Sequence, residues 1–131
     1  MLPKHHAIAG ITAAALLYPF FGLNVWVITA TVVAIDIDHF FIYAYRTGKY
    51  DLKMAYAYFR RVKEGGSFYP VFHMFETFAI ILFAGLYFNI LFLKLVSIGM
   101  LVHILHDLIE DLFLRTTRRN FFAVKLLYEK R

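Results

Sequence analysis

Ten ionisable side chains of this protein stand where an apolar chain can least easily keep them. Six of the nine carboxylates (Asp36, Asp38, Glu76, Asp107, Glu110, Asp111) and four of the six histidines (His39, His73, His103, His106) lie inside or at the ends of strongly apolar runs. Lysine and arginine are almost absent from those runs. Ionisable groups at bilayer depth cost roughly 2.5–3.5 kcal/mol each on insertion scales, so they are read as functional by default. A site rich in carboxylate and imidazole but poor in basic side chains needs a cation from elsewhere, and a bound metal supplies it.

The apolar runs dominate the composition. The chain has 131 residues, one domain by length, and is 61% hydrophobic and 19% aromatic. Its mean hydropathy is +0.63. Soluble domains sit nearer 45–50% apolar, roughly, so a membrane protein is expected. The net charge of +5 does not point to nucleic acid, because the basic residues cluster in short segments beside the apolar runs. That placement suits cytoplasmic loops and anionic lipid headgroups. With no cysteine there is neither a disulfide framework nor a thiolate ligand. His5 and His6 precede the first run and no cleavage pattern follows it, so the N-terminus does not read as a signal peptide.

Four runs, at about residues 7–21, 25–45, 69–88 and 92–114, approach the length needed to cross about 30 Å of hydrocarbon. The first is short. Pro19, Gly22 and Asn24 predict a tight turn after it, and a short connection near Asn89 joins the third to the fourth. Arg46, Lys49, Lys53, Arg60, Arg61 and Lys63 crowd the second connection, and Arg115, Arg118, Arg119, Lys125, Lys130 and Arg131 the tail. The third connection carries only Lys94. Both termini and the long second loop are therefore expected in the cytoplasm of an integral cell-membrane protein. Leu52, Tyr56, Phe59 and Val62 recur at helical spacing, as do Phe121, Val124 and Leu127 behind Asn120. Both segments predict amphipathic interfacial helices. The fold class expected is all-α: a polytopic bundle of four transmembrane helices with interfacial helices in the second loop and tail.

This topology delivers the polar residues of all four helices to a similar, cytoplasm-proximal depth. His103, His106, Asp107 and Glu110 form one stripe at i, i+3, i+4 and i+7. Asp36 and His39 are three apart, as are His73 and Glu76. Asp38 points elsewhere, by about 100–200° of rotation, unless the helix breaks there. The metal ligands expected are His103, His106 and Asp107, then Asp36, His39 and His73, with His6 closing the site from the first helix. Histidine and carboxylate on adjacent turns follow the logic of metal-binding bundles. Nitrogen and oxygen ligands without sulfur favour a divalent zinc ion, with manganese or iron also compatible. The set exceeds one zinc site, so it implies either up to three ions sharing carboxylates or extra groups that hold the imidazoles.

His6-x3-Gly10, Asp36-Ile37-Asp38-His39, His73 and Gly99-x3-His103-x2-His106-Asp107, taken together, resemble the YdjM-like family. Its members are described as small membrane-bound metal-dependent hydrolases. The resemblance runs from His6 to Asp111 and implies such an activity here. More distantly, His103-x3-Asp107 and His106-x3-Glu110 are similar to ligand pairs of zinc-dependent phospholipase C, which implies phosphoester hydrolysis.

The expected chemistry is attack by a metal-activated water on an ester or phosphoester, with Glu76 or Glu110 as general base. A site near the cytoplasmic interface favours a lipid-like, amphipathic substrate, and membrane lipids are the natural surroundings. The rival classes are a small metal-ion or proton transporter and a membrane di-iron oxygenase. Six histidines fall short of the usual oxygenase sets, and Val25–Thr31 and Ile80–Phe88 offer no relay for transport within one chain. A homo-oligomer would answer that last objection.

Overall fold

The computed structural model describes residues 3–61 and 71–114, and among these every regular element is helical. Helix α1, Pro3–Phe21, begins with proline at the position where a missing N–H costs least. It starts before the predicted run and so carries His5 and His6. At Gly22 the backbone turns left-handed, with φ of +55°, and a 3-10 turn over Gly22–Val25 reverses the chain. The Asn24 amide donates to the Phe21 carbonyl at 3.2 Å and holds that turn.

Helix α2, Trp26–Ala34, returns antiparallel to α1. The Thr29 hydroxyl donates to the Gly10 carbonyl at 3.0 Å, a contact that requires the backbones to lie close. A Cβ on Gly10 would stand 3.2 Å from Thr29 Cα. Helix α3, Ile37–Thr47, follows after a break at Ile35–Asp36 and stops at Gly48, where φ is +68°.

Helix α4, Leu52–Arg61, is capped by the Asp51 carboxylate, which accepts from the Met54 N–H at 2.9 Å. It buries Ala55 and sets the Tyr58 ring edge-on to Tyr43, centroids 5.5 Å apart. Leu52 of the expected interfacial stripe is exposed, the side chains of Phe59 and Val62 lie outside the described residues, and Ala55 is the residue buried beside α3. The expected tail helix over 120–130 lies outside the described residues.

The described part of the third run, from Val71, does not form one continuous helix. A 3-10 turn, Val71–His73, and an extended Met74 (ψ 138°) precede helix α5, Phe75–Tyr87. The reason lies in where the backbone groups go. The Phe72 N–H donates to Asp38 on α3, and the Val71 carbonyl accepts from the Thr77 hydroxyl at 2.7 Å. His73 is therefore on a turn, and its helical i, i+3 relation to Glu76 does not hold.

Asn89, with φ of +54°, then closes a Schellman-type end. The Ile90 N–H reaches Gly85 O at 3.0 Å and the Asn89 N–H reaches Leu86 O at 3.3 Å. Helix α6, Leu91–Leu114, runs back along α5 and parallel to α2. Gly99 sits so close to α2 that a Cβ there would be 2.7 Å from Thr31 Cβ and 2.9 Å from the Ile28 carbonyl. Small residues at such crossings replace the hydrophobic drive that lipid does not provide.

Large apolar side chains cover the outer surface, and ionisable groups share the interior with apolar ones. Ile8, Ile11, Leu16, Trp26, Ile80, Phe83 and Phe92 face outward, while His6, Asp38, His73, His103 and Asp107 are buried. One end of the interior is apolar, built on Ala14, Val25, Ile28, Val32 and Leu95. The other end holds the ionisable groups.

Two helical stretches, His5–Thr47 and Leu91–Ile109, are long and apolar enough to cross a membrane. The first folds back on itself at Gly22. Helix α5, with 13 residues, is about 20 Å long and by itself falls short of about 30 Å of hydrocarbon.

Candidate metal centre

Two glycines prepare the centre. Gly10 and Gly99 each stand one helical turn from a histidine, His6 and His103, on the same face. Where the backbones close over these glycines, the imidazoles one turn away come within reach of the neighbouring helices.

His103 is fully buried, and its Nδ1 lies 2.7 Å from the Val32 carbonyl oxygen. A carbonyl only accepts, so Nδ1 carries the proton, and Nε2 of the neutral ring presents a lone pair to the interior. His73 is held in the same sense. Its Nδ1 faces Asp38 Oδ2 at 3.4 Å, which directs its Nε2 inward as well. The two Nε2 atoms stand 3.0 Å apart. Two lone pairs at that distance repel unless a proton or a metal ion lies between them. Ligands about 2.1 Å from one ion sit roughly 3.0–3.8 Å from each other for angles of about 90–130°, so the spacing suits a shared metal.

Two carboxylates complete the arrangement. Asp36, at the break between α2 and α3, places Oδ1 3.4 Å from His73 Nε2 and 3.6 Å from His103 Nε2. Asp107, one turn beyond His103, places Oδ2 3.8 Å and 3.5 Å from the same two nitrogens. Three groups of potential ligands converge: His6, Asp36 and His103; Asp36, His39 and His73; and His73, His103 and Asp107. In each, the ligand atoms lie within 4.8 Å of one another. A buried His/Asp cluster able to hold a metal ion is thus present. Six of the seven ligands expected from sequence fall in these groups.

The seventh, His106, belongs to none of the groups and instead sets its Nδ1 3.2 Å from Nδ1 of His6. One of these two nitrogens must donate to the other, so His106 is placed to orient His6. Glu76 is half-buried in the first turn of α5 and belongs to none of the three groups. Glu110 lies on the α6 backbone, but its side chain, like that of Asp111, is outside the described residues. His5 is half-buried on α1 and belongs to no group.

Spacing alone missed Asp38. The helix does break beside it: the Asp38 and His39 N–H groups bond three residues back, to Ile35 and Asp36, rather than four. This rotates Asp38 inward. Its Oδ1 is 2.7 Å from His39 Nδ1, while Oδ2 meets His73 Nδ1 and the Phe72 N–H at 3.2 Å. A buried carboxylate that supports two imidazoles is the outer partner metal-binding histidines usually require. The signal available beforehand was the second acid of Asp36-Ile37-Asp38-His39, two residues from the first and beside a histidine.

Among the described residues, the centre is most open on the side of Asp36 and His39. Side chains of His6, His73, His103 and Asp107 are at most 4% exposed, whereas Asp36 is 34% and His39 28% exposed. Access is past Asp36 and His39, beside the exposed apolar side chains of Ile37 and Phe41. Comparison with known proteins returned no match to any family, curated protein or solved structure.

Proposed function

We propose that the chain is a membrane-embedded, metal-dependent hydrolase acting on the ester or phosphoester head of an amphipathic substrate. The observation that carries this reading is the pair of inward-facing Nε2 atoms of His73 and His103, 3.0 Å apart and flanked by Asp36 and Asp107. Such a nitrogen–oxygen set without sulfur suits zinc first, then manganese or iron. A bound divalent ion would supply Lewis acidity to a phosphoryl or carbonyl oxygen and lower the pKa of water toward about 7.

The chain's own residues have distinct tasks in this scheme. His73, His103, Asp36 and Asp107 hold the ion, while Asp38 and the Val32 carbonyl keep both imidazoles in the ligating tautomer. Glu76, outside the ligand groups, is the proposed general base. The half-open edge at Asp36 and His39, flanked by Ile37 and Phe41, admits a head group whose tail stays in lipid. The resemblance to the YdjM-like family agrees with this reading. The apolar outer surface and the basic second loop support four crossings with both termini cytoplasmic. A transport path finds less support, because the interior beyond the cluster is the apolar set of Ala14, Val25, Ile28, Val32 and Leu95.

The test is metal analysis by mass spectrometry on detergent-purified protein, paired with release of product from lipid phosphoesters and carboxylic esters in micelles. Stoichiometric metal and turnover that a chelator abolishes are expected. Well-folded protein that takes up no metal even when supplied, or metal-loaded protein inert on every ester, would sink the hydrolase reading.

A further inference from the structure

The two carboxylates of the centre each face in two directions. Asp36 turns Oδ1 toward His73 and His103 but Oδ2 toward His6 Nε2, at 3.8 Å. Asp107 repeats the pattern, with Oδ2 toward His73 and His103 and Oδ1 toward His6 Nε2, at 3.6 Å. A single ion between His73 and His103 would use one oxygen of each acid and leave both remaining oxygens converging on His6.

The His6 and His103 rings are stacked, with centroids 4.1 Å apart and planes within 10°. Both direct Nε2 at the same two carboxylates. Parallel imidazoles so placed hold their ions at about the ring spacing, which matches the roughly 3.5–4 Å separation of two-metal hydrolytic sites. His6 is only 1% exposed, and its other nitrogen is engaged by His106 at 3.2 Å, which leaves Nε2 as the atom that faces the acids.

We infer that the centre is dinuclear: one ion on His73 and His103, a second on His6, with Asp36 and Asp107 bridging both. This rests on the metal-centre reading above and extends it to nuclearity and substrate class. His39 shares a ligand group with Asp36 and His73 but with neither His6 nor Asp107, so it lies outside the bridged pair. Two bridged ions would suit the attacking and leaving oxygens of an in-line displacement at phosphorus, so the substrate class inferred is a phosphoester.

The experiment is metal counting on the full chain in detergent, stripped and then titrated with zinc, beside the same titration of His6→Ala. Two zinc equivalents are expected for the unaltered chain and one for the variant. Loading with manganese(II) should give an exchange-coupled spin signal in the unaltered chain and an isolated-ion signal in His6→Ala. Helical circular dichroism checks folding. Should the variant fail to fold, His6→Gln and the spin signal of the unaltered chain decide. One equivalent in the unaltered chain, or two in the folded His6 variant, overturns the inference even if esters are cleaved. Two coupled ions without turnover on any ester would uphold it while the hydrolase reading fell.

Discussion

Helix α6 and the α2–α3 segment furnish the same centre by opposite means. Helix α6 runs unbroken over 24 residues and presents His103 and Asp107 one turn apart, so their contact at 3.5 Å follows from helical geometry. The α2–α3 segment carries Asp36 and Asp38 two residues apart, which an unbroken helix would aim about 200° from each other. Its break at Ile35–Asp36 turns both inward, Asp36 toward the ion position and Asp38 behind His39 and His73. The difference teaches a general point. A continuous helix can offer one stripe of ligands, but a ligand and the carboxylate that supports its neighbours can come from positions two apart only where the helix is interrupted.

The comparison can be broken most directly on the α6 side. His103→Ala should lower metal affinity by more than about 100-fold, beyond the roughly 10–100-fold cost of losing an orienting partner. Chelator competition measures it, and retention of tight metal by a folded variant would remove α6 from the centre. On the α2–α3 side, Asp38→Asn replaces a two-way acceptor by an amide that must donate from one end. Metal affinity should fall by roughly 10–100-fold with no change in helical content. An unaltered affinity would show that the break does not serve the histidines.

Smaller effects sharpen the contact between the two regions. Gly99→Ala drives a methyl to within 2.7 Å of Thr31 Cβ and should cost about 1–3 kcal/mol in unfolding in detergent. Gly10→Ala, where the nearest atoms stand at 3.2 Å, should cost less. Equal losses would mean that the α2–α6 approach is not the tighter one. Thr29→Val removes the hydroxyl bond to Gly10 and should cost only about 0.6 kcal/mol, the usual worth of an interhelical bond in a membrane bundle. A loss several times larger would place the α1–α2 hairpin, rather than α6, at the heart of stability.

Much of this is legible in the sequence. The His103/Asp107 pair, the turn at Gly22, the connection at Asn89 and the α4 helix all follow from periodicity and punctuation, which are local properties. The turn that separates His73 from Glu76 is not legible in the sequence, because hydropathy does not say where a backbone N–H will find its acceptor. The Phe72 N–H finds it in Asp38, 34 residues away. The role of Asp38 is hidden for the same reason, since it exists only once α3 and the Val71–His73 turn meet. His106 lay on the right stripe, yet the approach of His6 from α1 gave it a neighbour to orient.

The sequence by itself determined an all-helical, apolar chain with carboxylates and imidazoles concentrated at one end of its helices, because composition and spacing are fixed along the chain. Only the tertiary structure decided which nitrogen of each histidine faces inward. A tautomer is set by the partner on the far side of the ring, here the Val32 carbonyl for His103 and Asp38 for His73. The parallel stacking of His6 on His103, and the two-sided reach of Asp36 and Asp107, likewise depend on how closely α1, α2 and α6 approach over Gly10 and Gly99. That approach is a property of packed backbones, which no single stretch of sequence contains.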